Sequence, residues 1–100
     1  MTDKEILGFI ANALSKRKSV TAASLYGSRA RGDNKERSDY DVAVFGSVTA
    51  AEKNAIFSEL QNAPTLLKID VVYYDELEDG KFKNNIDEEG VKFYDGKIEK

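Results

Sequence analysis

The chain has 100 residues, of which 41% are hydrophobic and 33% charged, with 15 Lys+Arg against 18 Asp+Glu and a formal net charge of −3. A chain of this length supports one small α/β-sized core and no separate substrate domain, and the near-balance of charge gives no basic footprint for nucleic acid. It contains neither Cys nor His, which removes disulfides, thiolate and imidazole metal sites, a Cys nucleophile and the Ser-His-Asp triad. Any metal must be held by oxygen, which favours magnesium, calcium or manganese. The start, Met1-Thr2-Asp3-Lys4-Glu5, lacks the basic region of a signal peptide, and the apolar runs are too short to span a bilayer. A single cytoplasmic domain is expected, without membrane or direct nucleic-acid contact.

In chain order, Thr2-x-x-Glu5 is a capping box, and Ile6, Ile10 and Leu14 follow at helical spacing with Leu7 beside them. The cluster Lys16-Arg17-Lys18 suits the negative end of that helix. Residues 20–26 read as a strand ending at Gly27. An Arg-, Gly- and Asp-rich loop or helical turn leads to a second strand at 40–45, whose Val42-Ala43-Val44-Phe45 run predicts a central position covered on both faces. Thr49-x-x-Glu52 opens a second helix carrying Ile56, Phe57 and Leu60 and ending before Pro64. A third strand is expected over 67–74, a helix over 82–89 stopped at Gly90, and a strand over 91–94 with a turn at Asp95-Gly96. The acidic stretch 75–79 reads as a solvated loop. The alternation predicts an α/β (α+β) fold, a small mixed sheet with helices packed on it.

The chemistry concentrates in three acids. Asp39 and Asp41 lie two apart at the start of an apolar strand, so their side chains share a face, with alpha carbons roughly 6.5–7 Å apart. Each carboxylate disfavours ionisation of the other, a cost that a divalent cation between them removes. Asp70, inside Lys68-Ile69-Asp70-Val71-Val72, is a third acid on a strand that could lie beside theirs. Such a set of hard oxygen ligands suits magnesium completed by phosphates and water. Taken singly, the pair also reads as a solvated strand end and Asp70 as an edge residue. Tyr26-Gly27-Ser28-Arg29-Ala30-Arg31-Gly32 offers a glycine for close backbone approach, a serine hydroxyl, and two arginines matched to phosphate. The plainer reading makes Ser28 a turn cap and leaves both arginines in solvent. A Walker A assignment fails because Asp33-Asn34 follows Gly32, and an EF-hand beginning at Asp39 fails because Ala43 and Val44 carry no oxygen ligand.

Gly27-Ser28, ten residues, then Asp39-Tyr40-Asp41, with Asp70 on a later strand, resembles the signature of the DNA polymerase beta-like nucleotidyltransferase superfamily. The stretch from Leu25 to Asp33, followed by Ser38-Asp39-Tyr40-Asp41, looks most like the minimal nucleotidyltransferases, many of them antitoxins of HEPN/MNT toxin–antitoxin pairs. The resemblance implies the polymerase beta-like fold and two Mg2+ ions at Asp39 and Asp41 carrying the triphosphate of ATP. It implies that Asp70 completes the site and accepts a proton, that Gly27 and Ser28 cradle phosphate, and that Arg29 or Arg31 offsets charge as pyrophosphate leaves. The implied reaction is transfer of AMP to a tyrosine of a HEPN toxin. Two alternatives stand beside it: transfer to a small molecule held by a separate subunit, and a non-catalytic antitoxin that neutralises its partner by binding.

Overall fold

The computed structural model describes residues 2–96. Helix α1 (Asp3–Ser15) starts on the expected capping box: the Glu5 amide donates to Thr2 Oγ1 at 3.2 Å and the Thr2 amide donates to Glu5 Oε1 at 2.9 Å. The same device starts α3 (Ala50–Leu60), where Thr49 Oγ1 accepts from the Glu52 amide at 3.2 Å. Two free amides at each helix start are thereby satisfied by a residue pair legible in the sequence. Between them lie β1 (Ala22–Tyr26), the short α2 (Ser28–Arg31) and β2 (Tyr40–Phe45); β3 (Ile69–Tyr73), a 3-10 turn (Tyr74–Glu76), α4 (Lys81–Glu89) and β4 (Val91–Asp95) follow. No described helix is long and apolar enough to cross a membrane.

The strands form one mixed sheet in the order β3-β2-β1-β4. β1 runs antiparallel to both β2 and β4, while β3 is parallel to β2, as its crossover through α3 requires. Strand alternation divides β2 between two cores. Tyr40, Val42 and Val44 pack with Ile6, Ile10 and Leu14 of α1 and Ile56 and Leu60 of α3. On the opposite face Ala43 joins Tyr26 and Ile86 of α4. Val42, Ala43 and Val44 are all at 0% exposure, as the continuous apolar run predicts; burying each valine contributes about 1.5–3 kcal/mol.

The differences from the expected elements are local. β1 begins at Ala22, although the Thr21 amide still donates to the Phe45 carbonyl at 2.8 Å. Lys16 falls just past the last turn as the C-cap of α1 and pairs with Glu59 of α3 at 2.6 Å. β3 is shorter than expected, because the chain between α3 and Lys68 is spent on turns. In the acidic stretch, Asp75 and Glu76 lie in the 3-10 turn, and Glu76 and Asp79 pair with Lys53 and Lys83. Gly96 lies in a turn as expected, and any return strand beyond it falls outside the described residues.

Candidate active site

Register brings the acids together. Tyr26 is opposite Asp41 across β1 and β2, and Asp41 is opposite Asp70 across β2 and β3. Residues in register share a face, so Tyr26, Asp41 and Asp70 form one row across three strands, with Asp39 in the loop just before β2 and within electrostatic reach of Asp41. Asp41 is half-buried, whereas Asp39 is exposed. Electrostatics reports the same proximity. Burial, then Asp70, then Asp39 hold the Asp41 carboxyl above its ordinary range, with Arg31 opposing. Burial, followed by Asp41 and Asp70, pushes the Tyr26 phenol up to about 12. Tyr26 is therefore a neutral, hydroxyl-bearing neighbour of the acids that the sequence reading missed; only the register reveals it.

Gly27 is the hinge of this arrangement. It sits at φ +78°, and a Cβ built on it would lie 2.5 Å from Asp41 Oδ2. The carboxylate therefore rests against the backbone that opens α2, an approach only glycine permits. Gly27 is the N-cap of α2, no side chain caps that end, and Ser28 is the first helical residue. Ser28 is thus not the turn cap of the plainer reading. Its carbonyl closes the turn by accepting from the Gly32 and Asp33 amides at 2.9 and 3.1 Å.

The two arginines separate. Arg31 keeps 45% of its side chain exposed, pairs with Asp33 at 3.0 Å and Glu89 at 3.1 Å, and lies within electrostatic reach of Asp41. Arg29 is not solvated but engaged with the protein's own groups. Its side chain is only 6% exposed. Nε donates to the Ser38 carbonyl at 3.0 Å, Nη2 to the Glu36 carbonyl at 3.1 Å, and Nη1 to Asp3 Oδ1 at 2.9 Å. The guanidinium also lies 4.3 Å from the centre of the Tyr40 ring, whose hydroxyl donates to the same Asp3 oxygen at 2.6 Å. Arg29 thus ties α2 to the loop that delivers Asp39 and to the start of α1. Arg29→Ala, which strands those carbonyls and Asp3, is expected to cost about 2 kcal/mol, or roughly 10 °C in melting temperature. Arg29→Lys should recover only part of this, since an ammonium cannot reproduce the fork; thermal denaturation reads both, and a full recovery by lysine would refute the fork as the cause.

The donor set fits a hard divalent cation. All donors are carboxylate oxygens, and mutual repulsion already burdens Asp41. Among the described residues no group of three or more Asp, Glu, His or Cys side chains is placed to hold a metal ion by itself, so these acids supply only part of a coordination shell. Such a set suits magnesium, which is normally held by one or two carboxylates together with phosphates and water.

Asp39 just before β2, Asp41 on it, Asp70 in register on β3 and a glycine-serine turn before a short helix make up the candidate site. The chain belongs to the family described as "Polymerase beta, Nucleotidyltransferase", which it matches over residues 9–99. It is similar in fold to a solved structure described as "Crystal structure of the toxin-antitoxin with AMP-PNP": the TM-score is 0.67 at 15% identity, covering 92% of this chain and 72% of that one. No curated protein matches this sequence.

Proposed function

We propose that the chain is a Mg2+-dependent nucleotidyltransferase that moves AMP from ATP to a hydroxyl, most specifically a tyrosine, of a HEPN-family toxin, and so acts as its antitoxin. The observation that carries this reading is the row of Asp41 and Asp70 in register, with the Asp41 carboxylate against Gly27. Two further facts support it: family membership, and likeness to a toxin–antitoxin structure described with a nucleotide analogue.

Asp39, Asp41 and Asp70 would hold magnesium, which when bound supplies charge neutralisation for the triphosphate and polarises the reacting phosphoryl group. The chain's own groups do the rest. The Gly27 and Ser28 amides and the Ser28 hydroxyl orient the phosphates. Arg31, exposed and close to Asp41, offsets charge as the leaving group departs. Asp70, with 39% of its side chain exposed, takes the proton from the acceptor hydroxyl. The hydroxyl oxygen forms a bond to the α-phosphorus while the bond from that phosphorus to the bridging oxygen breaks, releasing pyrophosphate. A phosphodiester on tyrosine adds bulk and negative charge, the means by which the toxin would be silenced.

The test is co-expression with the product of the neighbouring gene, followed by ATP, Mg2+ and intact-mass measurement of both proteins. The expected result is one or more AMP additions to the neighbour, absent in Asp41→Asn. A tight complex with no mass change would overturn transfer in favour of neutralisation by binding.

A further inference from the structure

β3 is an edge strand. The Tyr40 amide donates to the Lys68 carbonyl at 2.9 Å, so the alternation of a parallel ladder turns the backbone groups of Lys68 and Asp70 inward and those of Ile69 and Val71 to the outer edge. Along that edge, between β3 and α3, runs a cleft of about 820 Å³. Ile69, Val71, Leu60, Phe57 and Leu66 supply its apolar part, and Lys68 and Asp70 also line it. Phe57 is 67% exposed and Leu66 wholly so, an unusual outlay of large apolar surface next to a strand edge that no other described strand pairs with.

We propose that this edge is the acceptor-docking site: an extended segment of the acceptor protein adds to β3 as a fifth strand and presents its hydroxyl residue beside Asp70. The inference rests on the transfer reading above. Strand geometry fixes what the segment must be. Side chains of an added strand alternate between the two faces. One set enters the cleft over Ile69 and Val71 and must be apolar. The other set lies on the carboxylate face, where the residue beside Asp70 extends the Tyr26–Asp41–Asp70 row by one strand. That residue carries the hydroxyl. Two positions along, on the same face, the neighbour is Lys68, whose side chain is 72% exposed and whose Nζ lies 3.3 Å from Asp70 Oδ1; an acidic residue there shares that cation with Asp70. The segment therefore reads acid, apolar, hydroxyl, apolar, in one chain direction or the other. Ile69 and Val71 alternate along β3 with Asp70, which also lines the cleft, so an occupant lying along the strand edge uses both the apolar wall and the carboxylate row. The hydroxyl gains the α-phosphorus as pyrophosphate leaves, and its proton passes to the Asp70 carboxylate.

The experiment uses a fluorescein-labelled octapeptide alternating leucine with polar residues, with tyrosine at its centre and glutamate two positions away, in the presence of ATP and Mg2+. Fluorescence anisotropy is expected to show saturable binding that weakens at least tenfold in Leu66→Asp and Phe57→Asp, both at exposed positions. Replacing the peptide glutamate by lysine should weaken it several-fold, and mass spectrometry should find AMP on the peptide tyrosine. Cleft-dependent binding without AMP transfer would uphold the docking site while refuting the transfer reading. Transfer to the natural neighbour with an acceptor KM indifferent to Leu66→Asp, or no peptide binding, would overturn the docking site while leaving transfer intact. A dimer in sedimentation that Leu66→Asp dissociates would also overturn it, assigning the cleft to a second copy of the chain.

Discussion

Asp41→Asn is expected to lower nucleotidyl transfer by at least about a hundredfold and, in the absence of divalent cation, to raise the melting temperature. Both effects have one cause. Asp41 is held above the ordinary aspartate range, first by burial and then by Asp70 and Asp39. A folded-state pKa above the unfolded one means that the folded chain binds the proton more tightly. The carboxyl is thus harmless to stability at pH below its unfolded value, and becomes destabilising as pH rises through the folded value. Above the folded value the metal-free protein carries that burden, and asparagine, of the same shape and without charge, removes it. The advantage of the variant should fade as the pH falls below the ordinary aspartate value, where both proteins are neutral at this position. Mg2+ with ATP should raise the melting temperature of the parent by binding the folded state and leave the variant nearly unmoved. Thermal scans from acid to neutral pH, with and without Mg2+-ATP, measure all of this. A variant that melts lower than its parent at neutral pH, or that keeps transfer activity, would refute the account of Asp41 as an acid held in place for a cation.

How far the sequence reached follows from the range of each interaction. The two capping boxes, the apolar run of β2 and the Gly-Ser turn are local, and each was legible because a few neighbouring residues decide it. The spacing of Asp39 and Asp41 was legible for the same reason, although Asp39 stands in the loop just before β2 rather than on the strand. Asp70 could be nominated as an acid among apolar residues, but its place beside Asp41 depends on the parallel register of β2 and β3, which no local pattern encodes. Arg29 and Arg31 show the limit most clearly. Two residues apart in the same turn, they read as equivalent phosphate ligands. Arg29 instead reaches the carbonyls of Glu36 and Ser38 and the carboxylate of Asp3, contacts that exist only once α1 and the loop before β2 have met. The split of the helices between two faces, α1 and α3 against α4, is likewise a property of the packed sheet. So is the open edge of β3.

Gly27→Ala is expected to be the most damaging substitution outside the acids, with transfer reduced by about a hundredfold and stability by about 1–2 kcal/mol. Two separate penalties act at this position. The backbone stands at φ +78°, where any Cβ is strained, and the new methyl would meet Asp41 Oδ2 at 2.5 Å. Only the second penalty touches the chemistry, because it displaces the carboxylate from the row it shares with Asp70. Gly32 supplies the control. It stands at φ +86° at the other end of α2, with nothing within 4 Å of the position a methyl group would take. Gly32→Ala therefore incurs the backbone strain without the collision. Gly32, at ψ 8°, is in the left-handed helical region, whereas Gly27, at ψ −157°, is not, so Gly27→Ala should lose the more stability in thermal denaturation, and only Gly32→Ala should keep transfer within a few-fold of the parent. Equal losses of activity would mean that strain in the turn, rather than contact with Asp41, sets the dependence on glycine. Normal activity in Gly27→Ala would mean that Asp41 can retreat from the backbone without cost, and that the close approach has no part in positioning it.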